Sequence, residues 1–236
     1  NFLNPKFRFN TSLIIENNFG NENYKKTKVL LNRFNKKDEI YYWYKIKKIT
    51  QIISQESNQE EAINYINSKF SKIENPSTKI LFDMGNIAKG FKKYQSSINY
   101  YNSVISRIEK NSITYADLLY RRGGSYERLG KYEDSDKDLL KSLEINKDDA
   151  YVLNYLAYSW LERDYKIDTA IQMLDKAYEQ RSNDPYIIDS VGWGYYLIND
   201  FVNSEKFLKQ ALQLMPDDPI VNDHYGDVLW QMGRKI

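Results

Sequence analysis

Four residues near the end of the chain have types and spacing that suit chemistry: Asn222, Asp223, His224 and Asp227. On a helix, Asp223 and Asp227 stand at i and i+4 on one face with His224 beside it, an arrangement that can hold a metal weakly or poise a general base. The rest of the sequence argues against that use. His224 is the single histidine and cysteine is absent, which removes thiolate and multi-histidine metal sites. No HExxH motif is present, and no nucleophile comes with a positioned base. The glycines lie inside apparent helices, so they form no phosphate-cradling loop. The cluster is therefore expected to cap or cross-link helices, and neither catalysis, nor a metal, nor a cofactor is expected.

A second group of residues suits recognition instead. The chain holds 21 tyrosines, and many recur at the same place in successive segments: Tyr120 and Arg121 with Gly124; Tyr151, Asn154, Tyr155 and Tyr158; Tyr186, Asp189, Trp193 and Tyr196; then Asp223, His224 and Asp227. Rigid rings give contact area at small entropic cost, and Asn or Asp side chains can bond a ligand backbone. The alternative use of these tyrosines is packing between segments. Arg122 stands where the pattern calls for an apolar residue, so it is expected to pair with Asp136 or Asp138 on the next helix.

The elements that place these residues follow from a repeat. Gly123, Ala157, Gly192 and Gly226 fall in register at steps of 34, 35 and 34 residues. A second small residue follows each of the first three, at Ser135, Ala170 and Ser204. Leu139, Leu174 and Leu208 come four later, then Ser142, Ala177 and Ala211. Spacings of three and four put each set on one helical face, and small residues on the first helix let the second approach closely. Gly192 thus offsets about 1 kcal/mol of lost helix propensity by the contact it permits. Gly194 has no such role in the pattern, and is read either as room for a ligand backbone or as relaxed constraint. Asp184-Pro185 and Asp218-Pro219 read as an N-cap followed by proline at the first helical position.

Upstream, Gly85, Ser97, Tyr101 and Val104 keep the offsets, with extra residues assigned to the 111–115 connection. Ala62 and Ile66 mark an earlier second helix, and ESNQEE is expected to lengthen the turn before it. Pro5 is read as ending a still earlier helix. The predicted organisation is one all-α solenoid of antiparallel helix pairs: a divergent repeat at 1–37, repeats at 40–76, 78–115, 116–149, 150–184 and 185–218, and a truncated repeat at 219–236.

Net charge is +2, but residues 1–115 carry 19 Lys/Arg against 10 Asp/Glu while 116–236 carry 15 against 22. Either this is solvated surface, or the two ends face different partners. No apolar run approaches the roughly 18 residues that span a bilayer. The chain opens on NFLNP and closes on GRKI, so both ends read as trimmed. A covering helix is expected beyond Ile236, or else docking of this end onto a partner or a second copy.

The period resembles that of tetratricopeptide repeats. The stretches LYRRGGSYERLG, DDAYVLNYLAYSW, SNDPYIIDSVGWGYY and DDPIVNDHYGDVLWQMGR are similar to those of an uncharacterised alphaproteobacterial family of such proteins, strongly from about residue 115 onward. Ala157 departs from that family's glycine and Ser182 from its proline. The resemblance implies a non-enzymatic protein, with export to the periplasm or membrane association favoured over the cytoplasm. Members of the wider repeat class grip terminal carboxylates with Lys and Asn, whereas this row offers Tyr and Asp.

The resulting expectation is a non-catalytic scaffold that binds a peptide or partner protein in an aromatic concave groove. The alternative is a helical-repeat nucleic-acid binder using the basic N-terminal half and YYWYKIKK. The acidic C-terminal half argues against it, so no nucleic-acid partner is expected.

Overall fold

The computed structural model describes residues 5–36 and 38–234. Among these, thirteen α-helices and no strand are present. The chain forms two compact units, Asn1–Lys92 and Lys93–Ile236. The division falls within the 78–115 segment.

The first unit holds α1 (Pro5–Gly20), α2 (Tyr24–Leu31), α3 (Glu39–Glu56), α4 (Gln59–Phe70) and α5 (Thr78–Gly90). Pro5 begins α1, and the earlier helix expected before it lies outside the described residues. Proline is tolerated at a first helical position because the N–H it lacks has no intrahelical partner there. Ile15, Leu30, Leu31, Phe34 and Ile52 form a shared core across α1 to α3. Lys48 is buried, reaching Glu16 at 2.8 Å and lying 4.1 Å from the centre of the Phe19 ring. Asp83 of α5 accepts from Trp43 Nε1 at 2.9 Å and Lys47 Nζ at 2.7 Å, which ties α5 to α3. The ESNQEE segment does not lengthen a turn: α3 runs on to Glu56, and Asn58 caps α4 by accepting from Glu61 N. Nothing in QIISQE breaks a helix, so the extra residues extend one.

The second unit holds α6 (Tyr94–Ile105), α7 (Ile113–Glu127), α8 (Tyr132–Ile145), α9 (Ala150–Leu161), α10 (Ile167–Gln180), α11 (Pro185–Leu197), α12 (Phe201–Leu214) and α13 (Pro219–Gln231). The pairs α7/α8, α9/α10 and α11/α12 pack against one another, and α9, α11 and α13 also touch in succession. Part of the expected 111–115 connection is helix, because Ser112 caps α7 by accepting from Tyr115 N.

The register read from small residues is the packing register. Ser97, Ser135, Ala170 and Ser204 are fully buried, and so are Leu139, Leu174 and Leu208. A Cβ on Gly192 would lie 2.6 Å from Leu208 Cγ and 3.0 Å from Leu208 N, and one on Gly123 would lie 3.0 Å from Leu139 Cγ. The close approach lets Ser204 Oγ donate to the Gly192 carbonyl at 2.8 Å. Gly194 is also a packing residue: its Cβ would lie 2.8 Å from Ile171 Cδ1 and 3.1 Å from Leu174 Cδ1. The space at Gly194 is filled by the preceding pair, so no ligand backbone enters there.

Asp184 and Asp218 are the expected caps, and Asp149 supplies a third that was not expected: each accepts from two backbone N–H groups, of α11, α13 and α9 in turn, an interaction worth about 1 kcal/mol each. The turn between α7 and α8 needs a left-handed residue, and Gly130 supplies it at φ 70°. Arg122 pairs with Asp138 through two hydrogen bonds of 2.7 Å and donates to Asn102 Oδ1 at 2.6 Å, while Asp136 instead accepts from Arg163 at 2.8 Å.

Candidate functional site

The first helices of the second unit place the singled-out residues in three groups. Asn154, Tyr155 and Tyr158 on α9 and Tyr186 and Asp189 on α11 line one cleft of about 570 Å³. Asn154, Tyr158 and the nearby Glu162 follow one another at intervals of four, and so share one face of α9. Tyr155 OH donates to Glu127 Oε2 at 3.0 Å, and Tyr158 is hydrogen-bonded to Glu162. Burial, reinforced by the charges of Glu162 and Asp189, pushes the Tyr158 phenol up to about 12. Burial and then Glu127 raise the Tyr155 phenol as well. Both hydroxyls are therefore fixed donors at neutral pH. Asn154 Oδ1 is buried and has no hydrogen-bond partner, and an unmet buried acceptor of this kind costs roughly 1–3 kcal/mol.

The second group is a stack of rings joining α11 to α13. Trp193 lies face to face with His224, centroids 4.2 Å apart, and with Tyr196, centroids 4.7 Å apart. Its Nε1 donates to Glu162 Oε1 at 2.8 Å. His224 is buried, and its Nδ1 bonds the two oxygens of the equally buried Asp189 at 3.0 and 3.1 Å. The histidine is thus committed to an inter-repeat hydrogen bond. Asp223 and Asp227 are exposed. Asn222 Nδ2 donates to the carbonyls of Pro216 and Asp218, a loop-closing role. Among the described residues, no group of three His, Asp or Glu side chains is placed to hold a metal.

The third group lies apart from the cleft. Tyr120 packs edge-on against Tyr155, centroids 5.8 Å apart, and joins the central core. Arg121 is bonded to Asp117 one turn earlier, at 2.9 and 3.0 Å. Gly124 is buried. Tyr151 is exposed, with Arg181 over its ring at 5.7 Å.

Four charged residues that line the cleft were not singled out from the sequence: Glu127, Arg128, Glu162 and Arg163. They stand at or just past the C-terminal ends of α7 and α9, beyond the mid-helix positions the repeat register addresses. A signal was present in the recurrent Glu-Arg of SYERLG and SWLERD.

Comparison with known proteins agrees with this architecture. The model of the tetratricopeptide repeat family matches residues 116–149, which hold most of α7 and all of α8. The chain thus carries tetratricopeptide repeat sequence at these residues, within an all-α array of paired helices. A TPR repeat-containing protein of Pseudomonas aeruginosa is 32% identical over 111 residues, 47% of this chain but 19% of that protein's length. The chain thus spans about a fifth of that relative. A tetratricopeptide repeat protein from Parabacteroides merdae has a TM-score of 0.58 at 20% identity, covering 81% of this chain and 74% of its own. A MamA structure (RS-1, double mutant) gives 0.56 at 14% identity, covering 68% and 87%. Likeness at these identities concerns the helical-repeat fold. No described helix is long and apolar enough to cross a membrane.

Proposed function

We propose that this protein is a non-catalytic scaffold that binds an extended peptide, or an extended segment of a partner protein, in the cleft between α9 and α11. The observation that carries the reading is the cleft itself, about 570 Å³, in which Asn154 stands among the rings of Tyr155, Tyr158 and Tyr186 on successive first helices. A backbone N–H is the donor an extended chain offers at regular intervals, and ring faces suit the side chains between. Tyr186, 64% exposed at the same cleft, is the natural position for a photo-crosslinking residue. Crosslinks at 186 should capture a defined partner and vanish in Tyr158→Ala with the helical content retained. Capture unaffected by Tyr158→Ala would defeat the reading.

A second reading is favoured by a cleft of about 280 Å³ in the first unit, lined by Lys36, Lys69 and Lys72 beside Tyr42. Cations with a stacking ring suit a single-stranded nucleic acid. RNA affinity that falls steeply with salt would support it, and absence of RNA binding at low salt would remove it.

A further inference from the structure

The α9–α11 cleft has a charge pattern that selects among peptides. Its lining carries four carboxylates, Glu127, Glu162, Asp189 and Asp218, against the guanidinium groups of Arg128 and Arg163. Arg163 is paired elsewhere: it donates to Asp136, which is not part of the lining, and to the Ser159 carbonyl, with its guanidinium 4.7 Å from the centre of the Tyr132 ring. The cleft therefore keeps an excess of negative charge, within a unit that itself carries 18 Lys/Arg against 23 Asp/Glu.

The carboxylates are also arranged with rings. Glu127 is held by the Tyr155 hydroxyl and Glu162 by both Tyr158 and Trp193 Nε1. Each pair joins a fixed carboxylate to an aromatic ring, and these are the two groups that attract a cation. Resting on the peptide-binding reading above, we propose that the cleft recognises a basic peptide and seats a lysine or arginine side chain against the Tyr158–Glu162 pair. An acidic peptide would meet Glu162 and Asp189 beside a Glu127 that already lies 3.4 Å from Arg128, so the cleft discriminates by repulsion as well as attraction.

A library of random peptides displayed on phage, selected against the whole 236-residue chain at physiological salt, tests this. Enrichment of Lys or Arg at one fixed position is expected. In the best selected peptide, synthesised and titrated calorimetrically, Glu162→Gln should weaken binding about tenfold. That change keeps an acceptor for Trp193 Nε1 while removing the charge. Glu144→Gln, on α8 and paired with Lys141, should leave affinity unchanged, which separates recognition from general attraction to an acidic unit. Peptides enriched without a basic position, or equal loss in both variants, would overturn the charge inference and leave the peptide-binding reading standing. A selection that enriches nothing over background would overturn both.

Discussion

Gly192 and Gly226 hold equivalent places 34 residues apart, yet a methyl group would meet different surroundings at each. At Gly192 the Cβ would lie 2.6 Å from Leu208 Cγ, 2.9 Å from Leu208 Cδ2 and 3.0 Å from Leu208 N, whereas at Gly226 nothing lies within 4 Å. Both sites are inside helices, so replacement by alanine recovers about 1 kcal/mol of helix propensity at either. At Gly226 this is the whole effect, and Gly226→Ala should be stabilising by about that amount. At Gly192 the nearest atoms belong to a fully buried leucine and to the backbone of α12, which cannot swing aside like an exposed side chain. Overpacking of such a contact costs roughly 1–3 kcal/mol, so Gly192→Ala should be destabilising by about 0–2 kcal/mol net. The two variants should thus differ by about 1–3 kcal/mol, or roughly 2–10 °C in Tm for a chain of this size. Thermal melts followed by circular dichroism measure the difference directly. Equal melting temperatures for the two variants would refute the claim that helix contact dictates glycine at this place in the repeat.

Asp138→Ala leaves Arg122, whose side chain is 18% exposed, without its bidentate partner and should cost roughly 2–3 kcal/mol; Arg122→Met with Asp138→Leu should restore most of it in denaturant titrations, and a double variant as unstable as the single would argue against the pairing. The Tyr158 phenol is raised from 10.0 to about 12, so the folded state holds its proton where the unfolded state has lost it. The stabilisation this gives is complete below pH 10 and disappears as pH rises towards 12. Alkaline unfolding should accordingly be shallower in Tyr158→Phe, and an unchanged pH profile would contradict it. Trp230 is 66% exposed on α13. If this end docks a second copy, Trp230→Lys should reduce self-association seen by light scattering, and a chain that stays monomeric at high concentration would exclude that mode.

What the sequence disclosed was governed by how strictly each feature constrains residue type. Close helix contacts admit only small residues, so Gly123, Ala157, Gly192 and their second-helix counterparts announced the fold and its register. Asp-Pro pairs announced α11 and α13 because few residues cap a helix and fewer begin one. Helix ends were less legible. The extension of α3 to Glu56 rests on residues that carry no stop signal, and the start of α7 at Ile113 rests on the single Ser112 cap. Gly194 was misread because the repeat ruler tracks contacts within a pair, and its neighbours Ile171 and Leu174 belong to the pair before. Glu127 and Glu162 escaped notice for a related reason: their roles depend on rings 28 and 31 residues further along, pairings that no periodicity within one helix reveals.

These packing details bear on the cleft itself. Gly192 admits α12 to one side of α11, and Gly194 admits side chains of α9 and α10 to another, so α11 is gripped through two glycines that flank Trp193. A helix held so closely fixes where the Trp193 indole emerges, and the indole N–H in turn holds Glu162 at the C-terminal end of α9. The same indole stacks on His224, whose hydrogen bond to Asp189 joins α13 to α11. The carboxylates of the cleft are therefore positioned by contacts made within and between repeats. Such preorganisation lowers the entropic cost of binding. It also accounts for two glycines in a helix where propensity alone would favour alanine at both.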